Sequence, residues 1–339
     1  MGRPRIQGRK LIRRRDLIAM IAGATLGRPV GVTAQQAQGK RHVGVLMGTA
    51  ETDPRERQSI RVFAQTLADL GWDEGRNIEF SYGWGAGDTQ RMEANARALV
   101  ALNPDVLFVK GGALPPTREA TSTIPIVFVI TNGAGIQQFA PNFARPGGNA
   151  TGFTSREMTM AGKRLQLLRE MSPGVARALY ITDPLLGVGT TDISARVKQD
   201  SRTMGISLIE GAVNSVPEID AVVERFVREG GGGLVVAFNA FTTVHRSEIV
   251  MLANRDRLIA VYPLRVFADE GGLFSYGLNQ DDEFRRGATY VDRILRGEKP
   301  GDLPIQEPTR FELVINLRTA KALEPQASRK LHGLRLSRR

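Results

Sequence analysis

Cysteine is absent from all 339 residues. Its absence removes disulfides, thiolate nucleophiles and cysteine-ligated zinc together, and with them the acylated cysteine that tethers many exported chains to a membrane. No apolar run reaches the ~18–20 residues needed to cross a bilayer. Histidine is nearly absent: His42, His245 and His332 are scattered, and none opens an H-E-x-x-H or comparable ligand set. No G-x-G-x-x-G opens the first strand–helix unit, and no G-x-x-x-x-G-K-[ST] occurs, so phosphate cradles of both kinds are excluded. A G-x-S-x-G elbow is missing, and Ser59, Ser81 and Ser155 have no evident base partner. Asp281, Asp282 and Glu283 precede a predicted helix, where acids favour the helix dipole rather than forming a catalytic pair. These absences predict no metal, no cofactor and no catalytic residue.

What is present is charge, placed at the ends. The net charge is +11, but residues 1–34 hold eight bases and one acid, and residues 325–339 hold five bases and no acid. The remaining stretch, 35–324, carries 33 bases against 34 acids. A groove that tracks phosphates needs clustered bases on the folded body, so nucleic acid is excluded as a partner. The N-terminal bases include Arg13, Arg14 and Arg15, followed by Asp16, Leu17 and Ile18, a mild apolar stretch to Gly27, and small residues at Val32–Ala34. That layout predicts a twin-arginine-like signal peptide over 1–34, cut between Ala34 and Gln35. Residues 324–339 read as a basic, disordered tail.

From Lys40 onward the periodicity alternates. Short β-branched runs at His42–Met47, Asn77–Tyr82, Val106–Val109 and Ile126–Ile130 are separated by helical patterns such as Ile60, Phe63, Leu67 and Leu70. The rhythm restarts after the glycine-rich 145–152, with strands at Ala178–Thr182, Ser207–Ile209, Leu234–Phe238 and Leu258–Tyr262, and a further strand at Leu273–Tyr276. Strands alternating with 10–15-residue helices mean parallel sheets with crossovers on both faces. The fold class is therefore α/β, with two doubly wound Rossmann-like lobes joined by a hinge. Lobe I is assigned to 40–152 plus about 270–303 and lobe II to 153–269 plus about 304–323. Hinge strands are expected at about 150–155 and 268–273, with a third crossing near 303–310.

Ligands in open α/β sheets bind outside the carboxyl ends of the strands. The candidate ligand contacts are therefore Gly48 and Thr49, Gly111 and Gly112, and Thr131 and Asn132 in the first lobe. Thr182 and Asp183, Asn239 and Phe241, Tyr262 and Tyr276 are their counterparts in the second. Each has a structural alternative: the glycines as turns, Asp183 as a helix cap, the tyrosines as core.

Several stretches carry a likeness when taken in order: Arg41–Met47, Leu70–Asn77, Pro104–Val109, Ile124–Val129, Arg145–Thr154, Tyr262–Gly277 and Tyr290–Leu323. Together they resemble the ABC transporter substrate-binding proteins of the type I periplasmic-binding-protein fold, in the group that includes tryptophan/tyrosine-binding members. The resemblance implies an exported periplasmic protein, and the absence of cysteine makes the expected exported form soluble and not lipid-anchored. It implies a small-molecule ligand, amino-acid-like or aromatic, and a membrane permease with its ATPase as partners. Family members commonly carry Asp-Pro after the threonine at the end of the fifth strand, where this chain has Asn132 and Gly133. A hydrogen bond to a charged group is worth roughly 1.5–3 kcal/mol, and a neutral amide keeps part of that, which weighs against an α-amino-acid ligand. Two rival readings are a ligand-sensing regulatory module, which needs a DNA-binding headpiece within 1–40, and an enzyme on the same scaffold.

Overall fold

The computed structural model describes residues 39–131, 133–183 and 190–323. The expected signal peptide, the basic tail and Asn132 lie outside the described residues. In the first lobe β1 (Arg41–Met47), β2 (Ile78–Trp84), β3 (Val106–Lys110), β4 (Ile126–Thr131) and β5 (Ala150–Thr154) run parallel in the order β2-β1-β3-β4-β5. Every residue of β3 and β4 is buried. Helices on both faces of a parallel sheet impose that burial, which is why these strands read as continuous apolar runs. Between them run α1 (Pro54–Asp69), α2 (Thr89–Ala101), α3 (Leu114–Ala120) and α4 (Gly133–Gln137). Asp53 caps α1 by accepting the Arg55 N–H at 2.9 Å, and Pro54 takes the first helical position, where no N–H is needed. The helix then buries Phe63 against Phe108, with ring centroids 4.1 Å apart.

The second lobe repeats the plan. Its strands are β6 (Arg177–Thr182), β7 (Ser207–Ala212), β8 (Gly233–Val236), β9 (Ile259–Tyr262), β10 (Phe274–Leu278) and β11 (Phe311–Ile315), in the order β11-β10-β9-β8-β6-β7. All pairings are parallel except β10 with β11. The helices are α5 (Glu157–Met171), α6 (Thr190–Thr203), α7 (Val216–Arg228), α8 (Ala240–Val244), α9 (Arg246–Arg255) and α10 (Arg265–Asp269), with α12 (Leu317–Ala322) after β11. α7 shows why such segments become helices: Ile219, Val222, Val223 and Phe226 form one buried stripe at the helical period. Both sheets reverse strand order once, between β1 and β3 and between β6 and β8, and a crevice opens at each reversal.

The chain crosses between lobes three times. β5 leads across at Ser155 and Arg156, and β10 leads back through Asn279 into α11 (Gln280–Leu295), which packs on α1 and on β3, β4 and β5. The third crossing follows Gln306, whose N–H donates to the Gly152 carbonyl (2.9 Å) and whose carbonyl accepts the Thr154 N–H (2.8 Å). The second crossing thus lies beyond the expected 268–273, because Phe274–Leu278 pairs with β9 and β11 and stays in the second lobe. The segment around 150–154, expected as a hinge strand, is the edge strand of the first sheet. Gly152 is required there: its φ is +148°, and a Cβ would fall on the Phe128 carbonyl oxygen where β4 and β5 shift register.

Beside this hinge, Glu283 of α11 is fully buried, pairs with Arg286 at 2.9 Å and leaves Oε2 without a partner. Arg286 in turn donates to Gln306 and lies over the Phe153 ring at 4.4 Å. Burial pushes the Glu283 carboxyl from 4.5 up to about 7, the nearby Arg286 opposing it. A carboxyl raised on folding binds a proton more tightly in the folded than in the unfolded chain. Its contribution is therefore complete below about 4.5 and is lost as pH rises through about 7. The span corresponds to about 3 kcal/mol. Melting of wild type and Glu283→Gln across pH 4.5–8 should show the variant gaining relative stability as pH rises. Parallel curves would mean that the carboxyl does not titrate in this range.

Candidate functional site

A cavity of about 620 Å³ lies between the two strand-order reversals and is lined by both lobes. That volume is within the range of sites for small organic ligands. Of the positions expected from the sequence, Gly48, Thr49, Gly111, Gly112 and Thr131 line it from the first lobe, and Thr182 and Asn239 from the second. Asn239 also caps α8, accepting the Thr242 N–H at 2.7 Å. Four expected positions lie outside the cavity wall. Asp183 is buried at the end of β6, and Phe241 is buried with its ring against His245 at 4.6 Å. Tyr262 is fully buried and stacked on Phe267 at 5.1 Å, and Tyr276 stacks on Phe311 at 6.4 Å. β9 and β10 stand one and two strands away from the β6/β8 reversal, so their ends do not reach the crevice.

The wall also holds residues that the strand-end rule did not single out. Met92, Leu114, Ile130, Ile136 and Phe139 give the first lobe an apolar surface. From the hinge and the second lobe come Ser155, Glu157 and Tyr180. The hydroxyl oxygens of Thr49, Ser155 and Tyr180 are buried and have no hydrogen-bond partner. Buried polar groups are normally paired, so three lining residues whose hydroxyls have no partner leave hydrogen-bonding capacity in this wall.

Two charged lining residues are neutralised inside the wall. Lys110 pairs with Glu56, both nearly inaccessible, and Glu56 also accepts from the Gln280 amide at 3.2 Å. Glu157, at the first position of α5, pairs with Arg164 two turns on, and its Oε1 accepts the Phe238 N–H at 3.1 Å. Burial pushes the Glu157 carboxyl up, and Arg164 and the Phe238 N–H pull it back. Burial likewise raises the Tyr180 phenol, and the Glu157 charge adds to it.

Backbone strain gathers at the same place. Ile130, a β-branched residue on the cavity wall, has φ +55°, and Arg156 at the hinge has φ +53°. Left-handed backbone costs on the order of 1–3 kcal/mol at such residues and persists where the surroundings over-determine it. The lobes also touch beyond the cavity: Arg246 Nη1 of α9 meets Asp53 Oδ2 at 2.6 Å, and both side chains are nearly buried.

Two doubly wound lobes, three crossings and a cavity at facing strand-order reversals define a two-lobed binding protein of the type I periplasmic fold. The chain belongs to the ABC transporter substrate binding protein family, whose model matches residues 52–332. It is 19% identical over 337 residues to a tyrosine-binding protein of Clostridioides difficile (strain R20291), with 93% of this chain and 94% of that one covered. A conserved domain protein from Vibrio cholerae shares the fold with a TM-score of 0.79 and 22% identity, over 87% of this chain and 98% of that one. An ABC domain from Streptococcus pneumonia in complex with L-Trp matches with a TM-score of 0.76 and 19% identity, over 84% and 95% of the two chains. No helix among the described residues is long and apolar enough to cross a membrane.

Proposed function

We propose that this chain is the extracytoplasmic solute-binding component of an ABC importer, which closes its lobes on one small organic solute and hands it to a membrane permease. One observation carries this reading: a cavity of about 620 Å³ lined from both lobes, with three buried hydroxyls that lack partners. A solute there contacts both walls only when the lobes are together, so it binds the closed state more tightly and shifts the population toward it. No catalytic step is assigned. Export is assigned to the signal read in residues 1–34, with the mature chain starting at Gln35. The tyrosine-binding relative and the L-Trp complex support an aromatic, amino-acid-like solute. The ligand-contact set is Gly48, Thr49, Gly111, Gly112, Thr131, Thr182 and Asn239, extended by Ser155, Glu157 and Tyr180.

The test is a thermal-shift screen of aromatic amino acids, aromatic acids and nucleobases, followed by small-angle scattering with each hit. A solute at one hundred times its dissociation constant adds about 2.7 kcal/mol, a rise in melting temperature of roughly 5 °C or more. The radius of gyration should fall with the same solute. Stabilisation without compaction would remove the clamp mechanism, and a protein found in the cytoplasm with an intact N-terminus would remove the transport role.

A further inference from the structure

Four charged residues line the cavity: Lys110, Arg118, Glu119 and Glu157. Lys110 and Glu157 are each bound to an opposite charge buried in the wall. Arg118, in the last turn of α3, is different. Its guanidinium carbon sits 3.6 Å from the centre of the Phe139 ring, another lining residue. Among the described residues no carboxylate lies within ion-pair distance of it, including its neighbour Glu119. Burial alone pulls the guanidinium below its ordinary pKa, as expected of a cation that has given up water and gained no anion. The residue as a whole is exposed, not sealed inside the wall as Lys110 and Glu157 are.

A guanidinium held over a ring at this distance keeps N–H groups at its edge for other partners. Two such groups match the two oxygens of a carboxylate, and the ring contact restricts their orientation beforehand. We propose that Arg118 is the anion-recognition residue of this cavity and that the captured solute is an organic acid whose carboxylate seats on the Arg118–Phe139 pair. The inference rests on the proposed capture of a solute in this cavity and adds the solute's charge and the residue that selects it. The carboxylate end lies on the first lobe, beside the apolar wall of Leu114, Ile136 and Phe139. The remaining polar atoms of the solute face Thr49, Ser155 and Tyr180, whose unpartnered groups are neutral hydroxyls. Glu157 is already neutralised by Arg164, so nothing on that wall requires a charged amine. Glu119, beside Arg118 on the first lobe, is the lining carboxylate without an ion pair among the described residues, so the comparison of aromatic acids with and without an amino group reads its contribution.

The test compares matched acids and carboxamides on the full-length protein by calorimetric titration: phenylacetate, 3-phenylpropionate, 4-hydroxyphenylacetate and L-tyrosine against their amides. Acids should bind at least ten-fold more tightly than their amides. Arg118→Met, which keeps a long apolar stem over Phe139, should weaken acid binding roughly ten- to a hundred-fold and leave amide binding unchanged. Arg118→Lys should fall between. The unliganded melting temperature of both variants should stay within about 2 °C of wild type, which separates lost recognition from lost folding. Equal binding of acid and amide overturns the proposal, as does an Arg118→Met protein that keeps its acid affinity. If no acid binds but a neutral polyol compacts the protein in scattering, the assignment of Arg118 fails and solute capture stands. If nothing in either panel stabilises or compacts wild type, both readings fall together.

Discussion

Glu157→Ala is expected to lower stability by about 3–5 kcal/mol, because it strands a buried cation. Arg164 is 1% exposed and meets Glu157 directly, while its other contact, to the Tyr276 carbonyl, is long at 3.5 Å. Its Nε already lacks a partner, so the guanidinium has little else to turn to once the carboxylate is gone. The Phe238 N–H at the cavity wall loses its acceptor as well. For a protein of this size the loss corresponds to a melting temperature lower by roughly 10 °C. Removing both charges is a different change: Glu157→Leu with Arg164→Leu replaces a costly desolvated pair by apolar packing and should lie close to wild type. Thermal unfolding of the single and double variants, read by circular dichroism, separates the two effects. A single variant that melts within about 2 °C of wild type would show that Arg164 is not held by Glu157.

That pair also shows where reading the sequence stopped. Strands β3, β4, β6 and β8 were legible because both faces of a parallel strand are buried, leaving short β-branched runs closed by glycine or polar residues. The strand-end rule then found seven cavity positions without any side-chain geometry. It reached too far at Tyr262 and Tyr276, because the sequence does not say which strands flank the reversal of order. It fell short at Ser155 and Glu157. Both follow β5 (Ala150–Thr154), read only as a hinge strand, whose Gly152 at φ +148° and register shift break the regular strand pattern. Tyr180 lies inside a run that reads as core, and only the fold shows that it belongs to the cavity wall. The chain breaks at His245 into α8 and α9, which sets Thr243 on the cavity and Arg246 toward the opposite lobe. Lys110 and Arg118 were passed over because charge at a cavity is a property of pairing, and their partners or lack of them are set by tertiary contacts.

Asp53→Lys should abolish closure, with the apparent affinity for any captured solute falling more than about a hundred-fold. Arg246 is anchored in the second lobe by Glu270 (2.6 Å) and by the Thr243 carbonyl (2.9 Å), and both anchors lie on the same lobe as Arg246 itself. Its bond to Asp53 joins one lobe to the other. The pair therefore favours closure without touching the cavity, since neither residue lines it. A lysine at position 53 sets two like charges against each other as the lobes approach, which costs several kcal/mol. It also removes the cap of α1, a loss of about 1 kcal/mol that affects folding but not closure. Asp53→Asn separates the two, because asparagine caps a helix as well as aspartate and carries no charge. That variant should melt like wild type when unliganded, yet bind roughly ten-fold more weakly. Scattering should show it less compact than wild type at equal solute occupancy. Unchanged affinity and compaction in both variants would mean that the cavity contacts alone hold the lobes together. A graded loss from asparagine to lysine would place the closed state under the control of an ion pair outside the binding site.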